Sequence, residues 1–448
     1  MTTPILDFVR RYAEADGIRF HMPGHKGVSF LGCESLDITE VAGADVLYAP
    51  EGIIAESEAN ATALFGSAHT FYSAEGSTLC IKAMLAIVSA GKGDRPWILA
   101  ARNAHKSLIY GAAMLDLRIR WLDGEEGAHL CRCDVTPDDV AAALSSMEEK
   151  PCAVYLTSPD YLGNLADVAG ISAVCRKWGI PLLVDNAHGA YLKFLEPSLH
   201  PLDQGAAMCC DSAHKTLPVL TGGAYLHVAK GQEPYLSGAR GALSLFASTS
   251  PSYLILQSLD ACNRYLSEGY ARRLSLCCQR IEMLRRALSE LGFSVNQTEP
   301  LKLTVSPRSL GYTGDGLAAY LREKRIECEF SDSDALVLMI TPENGQEDLD
   351  RLLSVLSALP KQAPLPQGDV CLRFCGKRTS ENIRRAMLAP RKTISARDAE
   401  GCICATPTVS CPPAIPIAVS GDVITKEDID LFLRYGIENV DVVEISYD

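Results

Sequence analysis

A histidine and a lysine stand side by side just after a short apolar run of the sequence. The run is residues 207–211, and the chain continues as Ser-Ala-His-Lys up to Lys215, shortly before a turn at Gly222 and Gly223. This is a poor place for a solvated surface charge. A lysine attacks a carbonyl only if part of it is neutral near pH 7, which requires burial or a nearby positive charge to lower its pKa. We therefore predict that Lys215 holds a carbonyl cofactor as a Schiff base.

Pyridoxal phosphate is a cofactor of this kind, and it makes three further demands on a protein. Its ring nitrogen needs an acid, its ring needs a face to lie against, and its phosphate needs donors. Gly76, Ser77 and Thr78 precede a strongly apolar helical stretch, where free backbone amides, two hydroxyls and the helix dipole would favour an anion. A serine or threonine before a helix is also an ordinary N-cap, so this turn indicates a phosphate site only in combination with other residues.

The composition narrows the class of protein. The chain has 448 residues, 47% of them hydrophobic and 22% charged, as expected for a globular protein of two or three domains. With 42 basic and 55 acidic residues the net charge is −13, which argues against a nucleic-acid partner. The 17 cysteines lack the paired spacing of zinc sites, so we expect reduced, mostly buried thiols and no metal. No run suggests a signal peptide or a membrane span, and a cytoplasmic protein is the expectation.

Strands and helices alternate through the first half of the chain. Predicted strands cover 97–101, 118–121, 152–157, 181–185 and 207–211, and predicted helices between them cover 106–115, 136–147 and 171–178. This alternation predicts an α/β fold with a mostly parallel sheet, whose ligands gather where strands end. The polar side chains that follow these strands include His105, Asp185, His188, His214 and Lys215. A lone histidine is usually structural, but polar residues at several strand ends favour one shared site.

The remaining pattern predicts four parts. An N-terminal arm covers residues 1–39, a large cofactor-binding domain 40–269, a smaller α/β domain 270–360, and a C-terminal α+β domain 361–448. Residues 250–291 have helical periodicity and predict one long connecting helix. Three prolines within residues 360–366 indicate an extended linker.

Six motifs occur together and carry a resemblance to a known family. In order they are His-Met-Pro-Gly-His-Lys-Gly at 21–27, Gly-Ser-Thr at 76–78, Arg-Asn-Ala-His-Lys-Ser at 102–107, Thr-Ser-Pro-Asp-Tyr-Leu-Gly at 157–163, Asp-Asn-Ala-His-Gly at 185–189 and Ser-Ala-His-Lys at 212–215. The combination resembles the bacterial ornithine/lysine/arginine decarboxylases that depend on pyridoxal phosphate, in the compact form without an N-terminal wing domain. The match spans nearly the whole chain.

The resemblance implies an aspartate-aminotransferase type fold, which is PLP fold type I, in a homodimer or an assembly of dimers with shared active sites. Lys215 would carry the cofactor, Asp185 would pair with the ring nitrogen, and His105 would stack on the ring. His188 would lie near the ring oxygen or the reacting carboxylate. The residues that would surround the phosphate are Gly76, Ser77, Thr78, Ser212 and His214.

The implied reaction is loss of carbon dioxide from arginine, lysine or ornithine, feeding polyamine synthesis. Protonation at Cα by Lys215 or a nearby histidine would then give the amine. His25 and Lys26 could reach the site from the partner subunit.

The C-terminal part departs from the family pattern, and this leaves the choice of substrate open. Family members usually have an acidic residue where this chain has Thr406, and a Pro-Tyr-Pro-Pro-Gly-Ile-Pro run where it has Cys411 and Ala414. If the missing acid normally contacts the distal cation of the substrate, another carboxylate must do so here. Candidate replacements are Asp45, Glu51 and Asp160.

Two other functions remain open from the sequence. An aminotransferase, aldolase or lyase on another amino acid would use Asp185 and Lys215 equally well, so the choice rests on the histidine-containing motifs. A cofactor-free relative that binds a partner is the second alternative. The intact lysine, aspartate and phosphate turn argue against it, because a binding module does not need all three.

Overall fold

The computed structural model describes residues 1–15, 17–122, 129–132, 134–296, 299–366, 379–380, 382–410 and 414–444. In chain order the α-helices are α1 Pro4–Glu14, α2 Ile53–Phe65, α3 Gly76–Ser89, α4 Lys106–Leu115, α5 Pro137–Ser145, α6 Val168–Trp178, α7 Ala213–Thr216, α8 Leu236–Phe246, α9 Tyr253–Ser267, α10 Tyr270–Leu291, α11 Gly314–Glu323, α12 Gln346–Ser357, α13 Ile383–Leu388 and α14 Lys426–Arg434. The strands are β1 His69–Ser73, β2 Trp97–Ala101, β3 Arg118–Leu122, β4 Val154–Thr157, β5 Leu182–Asp185, β6 Met208–Asp211, β7 Ala224–Val228, β8 Ser294–Val295, β9 Lys302–Ser306, β10 Phe330–Ser331, β11 Leu336–Met339, β12 Thr379–Ser380, β13 Arg391–Ser395, β14 Thr408–Ser410, β15 Ile415–Ala418 and β16 Asn439–Val443.

The chain forms two compact units. The first consists of residues 1–92 and 175–272, and the second of residues 93–174 and 273–448. In the first unit the strands lie in the order β1, β7, β6, β5, with β5 and β6 parallel and the other pairs antiparallel. Every residue of β5, β6 and β7 is buried, because helices cover this part of the sheet. Helix α3 packs on β7 and β6, and α8 packs on α3.

An aspartate fixes the entrance to α2. Both carboxylate oxygens of Asp45 accept backbone N–H groups from residues 46, 51, 52, 54 and 55, and α2 begins at Ile53. The first turn of a helix has N–H groups without intrahelical partners, and this carboxylate accepts those of Ile54 and Ala55. The helix ends at Gly66, whose φ of 63° is in the left-handed region that glycine adopts readily.

In the second unit the strands lie in the order β4, β2, β3, β12. The pairs β2/β4 and β2/β3 are parallel, and β12 runs antiparallel to β3. The predicted start of α5 is confirmed, since the Thr136 hydroxyl and the Asp139 carboxylate form a reciprocal capping box and Pro137 is the first helical residue. The α/β prediction from the alternation of elements is therefore confirmed.

The rest of the second unit consists of smaller sheets. Strands β10, β11, β9 and β8 form an antiparallel sheet, next to which α11 packs. Towards the C-terminus β13 pairs with β16 and β14 with β15, and α14 covers β15. Arg102, which follows β2, lies over the Trp121 ring and donates to the carbonyl of Ile417 at 2.7 Å, so it fastens β15 to the end of β2.

Two sequence-based predictions were wrong in detail. Residues 250–291 form two helices, α9 and α10, because Gly269 has a φ of 74° and interrupts the helical path. Helix α3 starts at Gly76, three residues earlier than expected, so the Gly-Ser-Thr turn is the first turn of the helix itself. The four proposed domain boundaries remain predictions, and Cys411 lies outside the described residues. In the part of the chain that the structure describes, no helix has both the length and the hydrophobicity needed to cross a membrane.

Candidate active site

The predicted nucleophile lies in a short helix directly after a buried strand. Strand β6 ends at Asp211, and the single-turn helix α7 follows with Lys215 in it. The Lys215 backbone N–H donates to the carbonyl of Ser212 at 3.0 Å, which closes the turn. The Lys215 Nζ lies 3.0 Å from the Nε2 of His188, a residue that is almost fully buried. The structure therefore brings together two of the predicted catalytic groups at proton-transfer distance.

Asp185 ends the neighbouring strand β5. Its side chain is buried, and Oδ1 accepts the backbone N–H of Ala187 at 3.2 Å and the thiol of Cys210 at 3.7 Å. Cys210 stands opposite Asp185 in the strand pairing, and burial raises the pKa of its thiol well above the usual value. The thiol therefore stays protonated and can donate to the carboxylate. Asp185 and His188 leave β5 three residues apart, and so belong to one short loop.

The predicted phosphate turn lies at the start of α3. Gly76 has a φ of 71°, and its N–H donates to the carbonyl of Gly222 at 2.7 Å. The Ser212 hydroxyl donates to the Ser77 hydroxyl at 2.8 Å. A side chain at Gly76 would meet no atom within 4 Å, so open space borders the turn. The residue that precedes α7 and the N-terminus of α3 thus form one hydroxyl-rich edge at the positive end of a helix.

His214 is oriented by the Gly-Gly turn. Its Nδ1 lies 2.9 Å from the carbonyl of Gly223, and because a carbonyl only accepts, Nδ1 carries the proton. Burial, and in smaller part the charge of Lys215, lowers the pKa of His214 below its usual value, so Nε2 is an acceptor in the neutral ring. A side chain at Gly223 would approach Val219 to 2.3 Å. Glycine is therefore required where the sequence predicted a turn.

These residues fit pyridoxal phosphate by the chemistry of their donors. The first unit alone provides an amine at Lys215, a buried carboxylate at Asp185, and the two hydroxyls of Ser77 and Ser212 beside open space at a helix N-terminus. The hydroxyl of Thr216, next to the lysine, is buried and has no hydrogen-bond partner among the described residues. The roles of these residues toward the cofactor, and that of Thr78 beside them, stay predictions.

Other predicted residues have local partners. His105 is in the second unit, where its Nδ1 lies 2.7 Å from the Ser107 hydroxyl and accepts the Ser107 N–H as the cap of α4. In the first unit, the Nδ1 of His25 accepts the Gly27 N–H, so its Nε2 carries the proton that faces Asp37 at 3.2 Å. Lys26 donates from Nζ to the carbonyl of His21 at 2.6 Å.

The candidate substrate carboxylates are not equivalent. Both carboxylate oxygens of Asp45 accept backbone N–H groups at or before the start of α2. Asp160 is buried and accepts the N–H groups of Leu162 and Asn164 as well as the Asn164 side-chain amide. Both are therefore engaged in structure, whereas Glu51 is exposed to solvent. Thr406, in the second unit, accepts the Cys404 thiol at its backbone carbonyl.

The sequence analysis missed a buried polar cluster on the other side of the same strand ends. Asp211 accepts hydrogen bonds from His200, His227 and Asn186, and all four side chains are fully buried. A signal existed, because Asp211 and His227 interrupt strands that are otherwise apolar. Their partners could not be named from the sequence, since residues 186, 200 and 227 are brought together only by the folded sheet.

A lysine after one buried strand and a carboxylate at the end of its parallel neighbour, in an α/β fold, agree with an enzyme of PLP fold type I. The model of the family "Orn/Lys/Arg decarboxylase, major domain" matches residues 3–305. The chain belongs to this family, and it is a PLP-dependent amino acid decarboxylase.

Known proteins resemble the chain over most of its length. It is 31% identical to an arginine decarboxylase of Bacillus subtilis, with 96% of this chain and 93% of the relative covered. An arginine decarboxylase of Halalkalibacterium halodurans is 29% identical, with 95% and 92% covered. Among solved structures, the lysine decarboxylase LdcF of Francisella novicida superposes with a TM-score of 0.79 at 17% identity, covering 99% of this chain and 81% of that one. The structural likeness supports the fold predicted from the sequence.

Proposed function

We propose that the protein removes the α-carboxylate of a basic amino acid, with arginine as the first substrate to test, and so supplies a polyamine precursor. The observation that carries the proposal is the 3.0 Å distance between Lys215 Nζ and His188 Nε2. His188 lies in the loop that directly follows Asp185 at the end of β5. Relatives named arginine decarboxylase support arginine over lysine and ornithine.

The proposal assigns the cofactor to residues of the first unit, and the stacking of His105 on the ring stays a prediction. Lys215 would hold pyridoxal phosphate covalently, with its ring nitrogen at Asp185 and its phosphate at the start of α3. When bound, this cofactor accepts the electron pair that is left as the carboxylate departs. The Asp185 carboxylate, buried beside a protonated thiol, would keep a proton on the ring nitrogen.

Proton movement would depend on the Lys215 and His188 pair. Their nitrogens are at hydrogen-bond distance, so a proton on either one can be shared with the other. Once Lys215 is released and protonated as an ammonium group, its Nζ can deliver a proton to Cα and become an amine, and protonated His188 can return a proton to that amine. Burial of His188 excludes water from one side of this transfer.

The distal cation of the substrate needs an anionic partner. Glu51 carries an exposed carboxylate two residues before α2, whereas the carboxylates of Asp45 and Asp160 are engaged by backbone groups. We therefore assign Glu51 as the first candidate for this contact, and Thr406, His25 and Lys26 as further substrate candidates.

A second copy of the chain would cover the N-terminal arm. Large apolar side chains of this arm are strongly exposed, with 84% of Ile18, 92% of Phe20 and 89% of Leu31 accessible. Isolated exposed apolar residues are common, but several within one segment mark an interaction surface. The homodimer predicted from the sequence would bury them, and a cytoplasmic location remains a prediction beside it.

An absorption and carbon dioxide assay tests the proposal. Purified protein with added pyridoxal phosphate is expected to show the visible band of lysine-bound cofactor, and to release carbon dioxide from arginine more readily than from lysine or ornithine. Lys215→Ala should lose the band and the activity, while Lys230→Ala, which removes an exposed lysine of the same unit, should retain both. A missing band in the wild-type protein, or a keto acid product in place of an amine, would contradict the proposal.

A further inference from the structure

A buried aspartate on the face of the sheet opposite Asp185 connects three neighbouring strands. The Oδ2 atom of Asp211 lies 3.0 Å from the Nε2 of His200 and 3.1 Å from the Nε2 of His227. Its Oδ1 accepts the side-chain amide of Asn186 at 2.7 Å. Asn186 follows β5, Asp211 ends β6 and His227 is in β7, so one carboxylate fastens neighbouring strands.

The hydrogen bonds fix the protonation state of this cluster. The Nδ1 of His200 accepts the Leu202 N–H, and the Nδ1 of His227 lies 2.9 Å from the Thr70 hydroxyl, which can donate to it. Each ring then carries its proton on Nε2, directed at Asp211. Burial lowers the pKa of His227 and keeps that ring neutral. Burial alone would raise the pKa of Asp211, but the two histidines outweigh it and hold the pKa well below the usual range.

Asn186 can take only one orientation in this setting. A side chain at Gly189 would lie 2.0 Å from the Oδ1 of Asn186, so that oxygen rests directly on the glycine. The Gly189 N–H donates to the Asn186 backbone carbonyl at 2.8 Å. Turning the amide over would direct its oxygen at the Asp211 carboxylate, which repels it. The residues between Asn186 and Gly189 include His188, whose Nε2 meets Lys215.

We propose that Asn186, held by Asp211, is a positioning residue that orients the loop carrying Asp185 and His188. Successive side chains of an extended strand point to opposite faces, so Asp185 and Asn186 leave β5 on opposite sides of the sheet. Fixing Asn186 on one side therefore fixes Asp185 on the other and sets the approach of His188 to Lys215. This inference rests on the proposed function, because it assumes that these residues serve the cofactor.

An exchange of the two residues tests the inference. Asn186→Asp alone places two carboxylates against each other, and Asp211→Asn alone places two amides against each other. In the double variant, Asn186→Asp with Asp211→Asn, the oxygen of the new amide can accept both histidines while its N–H₂ donates to the new carboxylate. Every hydrogen bond of the cluster is kept, but in the bond between residues 186 and 211 the donor and the acceptor are exchanged.

The readouts are pyridoxal phosphate affinity, the pH titration of the visible band, and the melting temperature of the cofactor-free protein. Each single variant loses the hydrogen bond between Asn186 and the charged Asp211, so it is expected to weaken cofactor binding about tenfold or more and to shift the pH titration of the band. The double variant is expected to return both to near wild-type values. Asn263→Asp is the matched control, since Asn263 is a buried asparagine of the same unit that donates to Tyr72 and Ser57 and not to this loop. It should lower the melting temperature and leave the titration of the band unchanged.

Three results would overturn the inference. If the single variants bind the cofactor as tightly as the wild-type protein does, the bond between Asn186 and Asp211 does not position the loop. A double variant as weak as the single variants, or one that regains the melting temperature without the band titration, would mean that the charge at residue 211 matters and the bond geometry does not. A wild-type protein without a visible band refutes the proposed function instead, so the two failures are distinguishable.

Discussion

Replacing Asp260 with asparagine should stabilise the protein at neutral pH and have little effect in acid. Asp260 is in α9 and fully buried, where its Oδ2 accepts the Leu6 N–H of α1 at 3.0 Å and its Oδ1 accepts the Ser57 hydroxyl at 2.5 Å. Burial raises the pKa of this carboxyl from 3.8 to about 6, even though both hydrogen bonds act in the opposite direction. The folded state therefore holds the protonated form more tightly than the unfolded chain does.

The size of the effect follows from linkage. A carboxyl whose pKa is raised on folding contributes stability that is fully present below its unfolded pKa and is lost as the pH rises through the folded value. Here the window runs from about 4 to about 6, and two units at about 1.4 kcal/mol each give about 3 kcal/mol. Asparagine is neutral throughout and can donate to Ser57 Oγ while it accepts Leu6 N–H. The variant should therefore exceed the wild-type protein in unfolding free energy by up to about 3 kcal/mol at pH 7.5.

Urea unfolding of the cofactor-free protein at pH 4.5, 5.5, 6.5 and 7.5 measures this difference. The titration of other groups is common to both proteins and cancels in the comparison. Glu14→Gln, at an exposed position of α1, is the control and should show no such pH-dependent difference. A difference between Asp260→Asn and wild type that stays constant over this range, or a variant less stable than wild type at pH 7.5, would refute the reasoning.

Three further predictions concern other parts of the molecule. Asp45→Ala removes the acceptor for the α2 entrance and should lower the unfolding free energy by about 2 kcal/mol in urea titrations, with Asp45→Asn retaining part of it. Gly189→Ala brings a methyl group to 2.0 Å from Asn186 Oδ1, so cofactor affinity, measured by titration of the visible band, should fall by about tenfold. Phe20→Ser with Leu31→Ser should shift sedimentation from dimer to monomer while leaving the circular dichroism of the chain unchanged; an unaltered dimer would exclude the arm as its interface.

The architecture of the first half was predictable because its strands are buried on both faces. Continuous apolar runs bounded by helical patterns gave β2 and α4 with the bounds that the structure has. The ends of helices were less predictable at glycines, because a glycine can start a helix, end it or lie in a turn. The pattern predicts Gly76 in a turn before α3, yet Gly76 starts the helix with a φ of 71°. The helical periodicity predicts one helix through Gly269, yet this glycine separates α9 from α10.

The candidate residues of the site were predictable only where residues close together in the sequence form a recognisable motif. Lys215, Asp185 and the Gly-Ser-Thr turn each stand in a recognisable local pattern. The contact between Ser77 and Ser212 and the one between Lys215 and His188 depend on which strands become neighbours, which periodicity does not specify. The structural use of Asp45 was not predictable for the same reason, since its partners extend from the next residue to Ala55 in the first turn of α2.

At the ends of β5 and β6, adjacent residues alternate between the two faces of the sheet, and this alternation could have been predicted from the sequence. Strand β5 ends in Asp185 followed by Asn186, and β6 ends in Asp211 followed by Ser212. Because adjacent side chains of a strand point to opposite faces, each pair divides into one residue for the site and one for the buried cluster. Asp185 accepts the Cys210 thiol and Ser212 donates to the Ser77 hydroxyl, while Asn186 and Asp211 bind each other at 2.7 Å on the far side. A buried carboxylate is costly unless its hydrogen bonds are complete. The bond between Asn186 and Asp211 therefore holds the chain just before or after the two residues that are predicted to serve the cofactor.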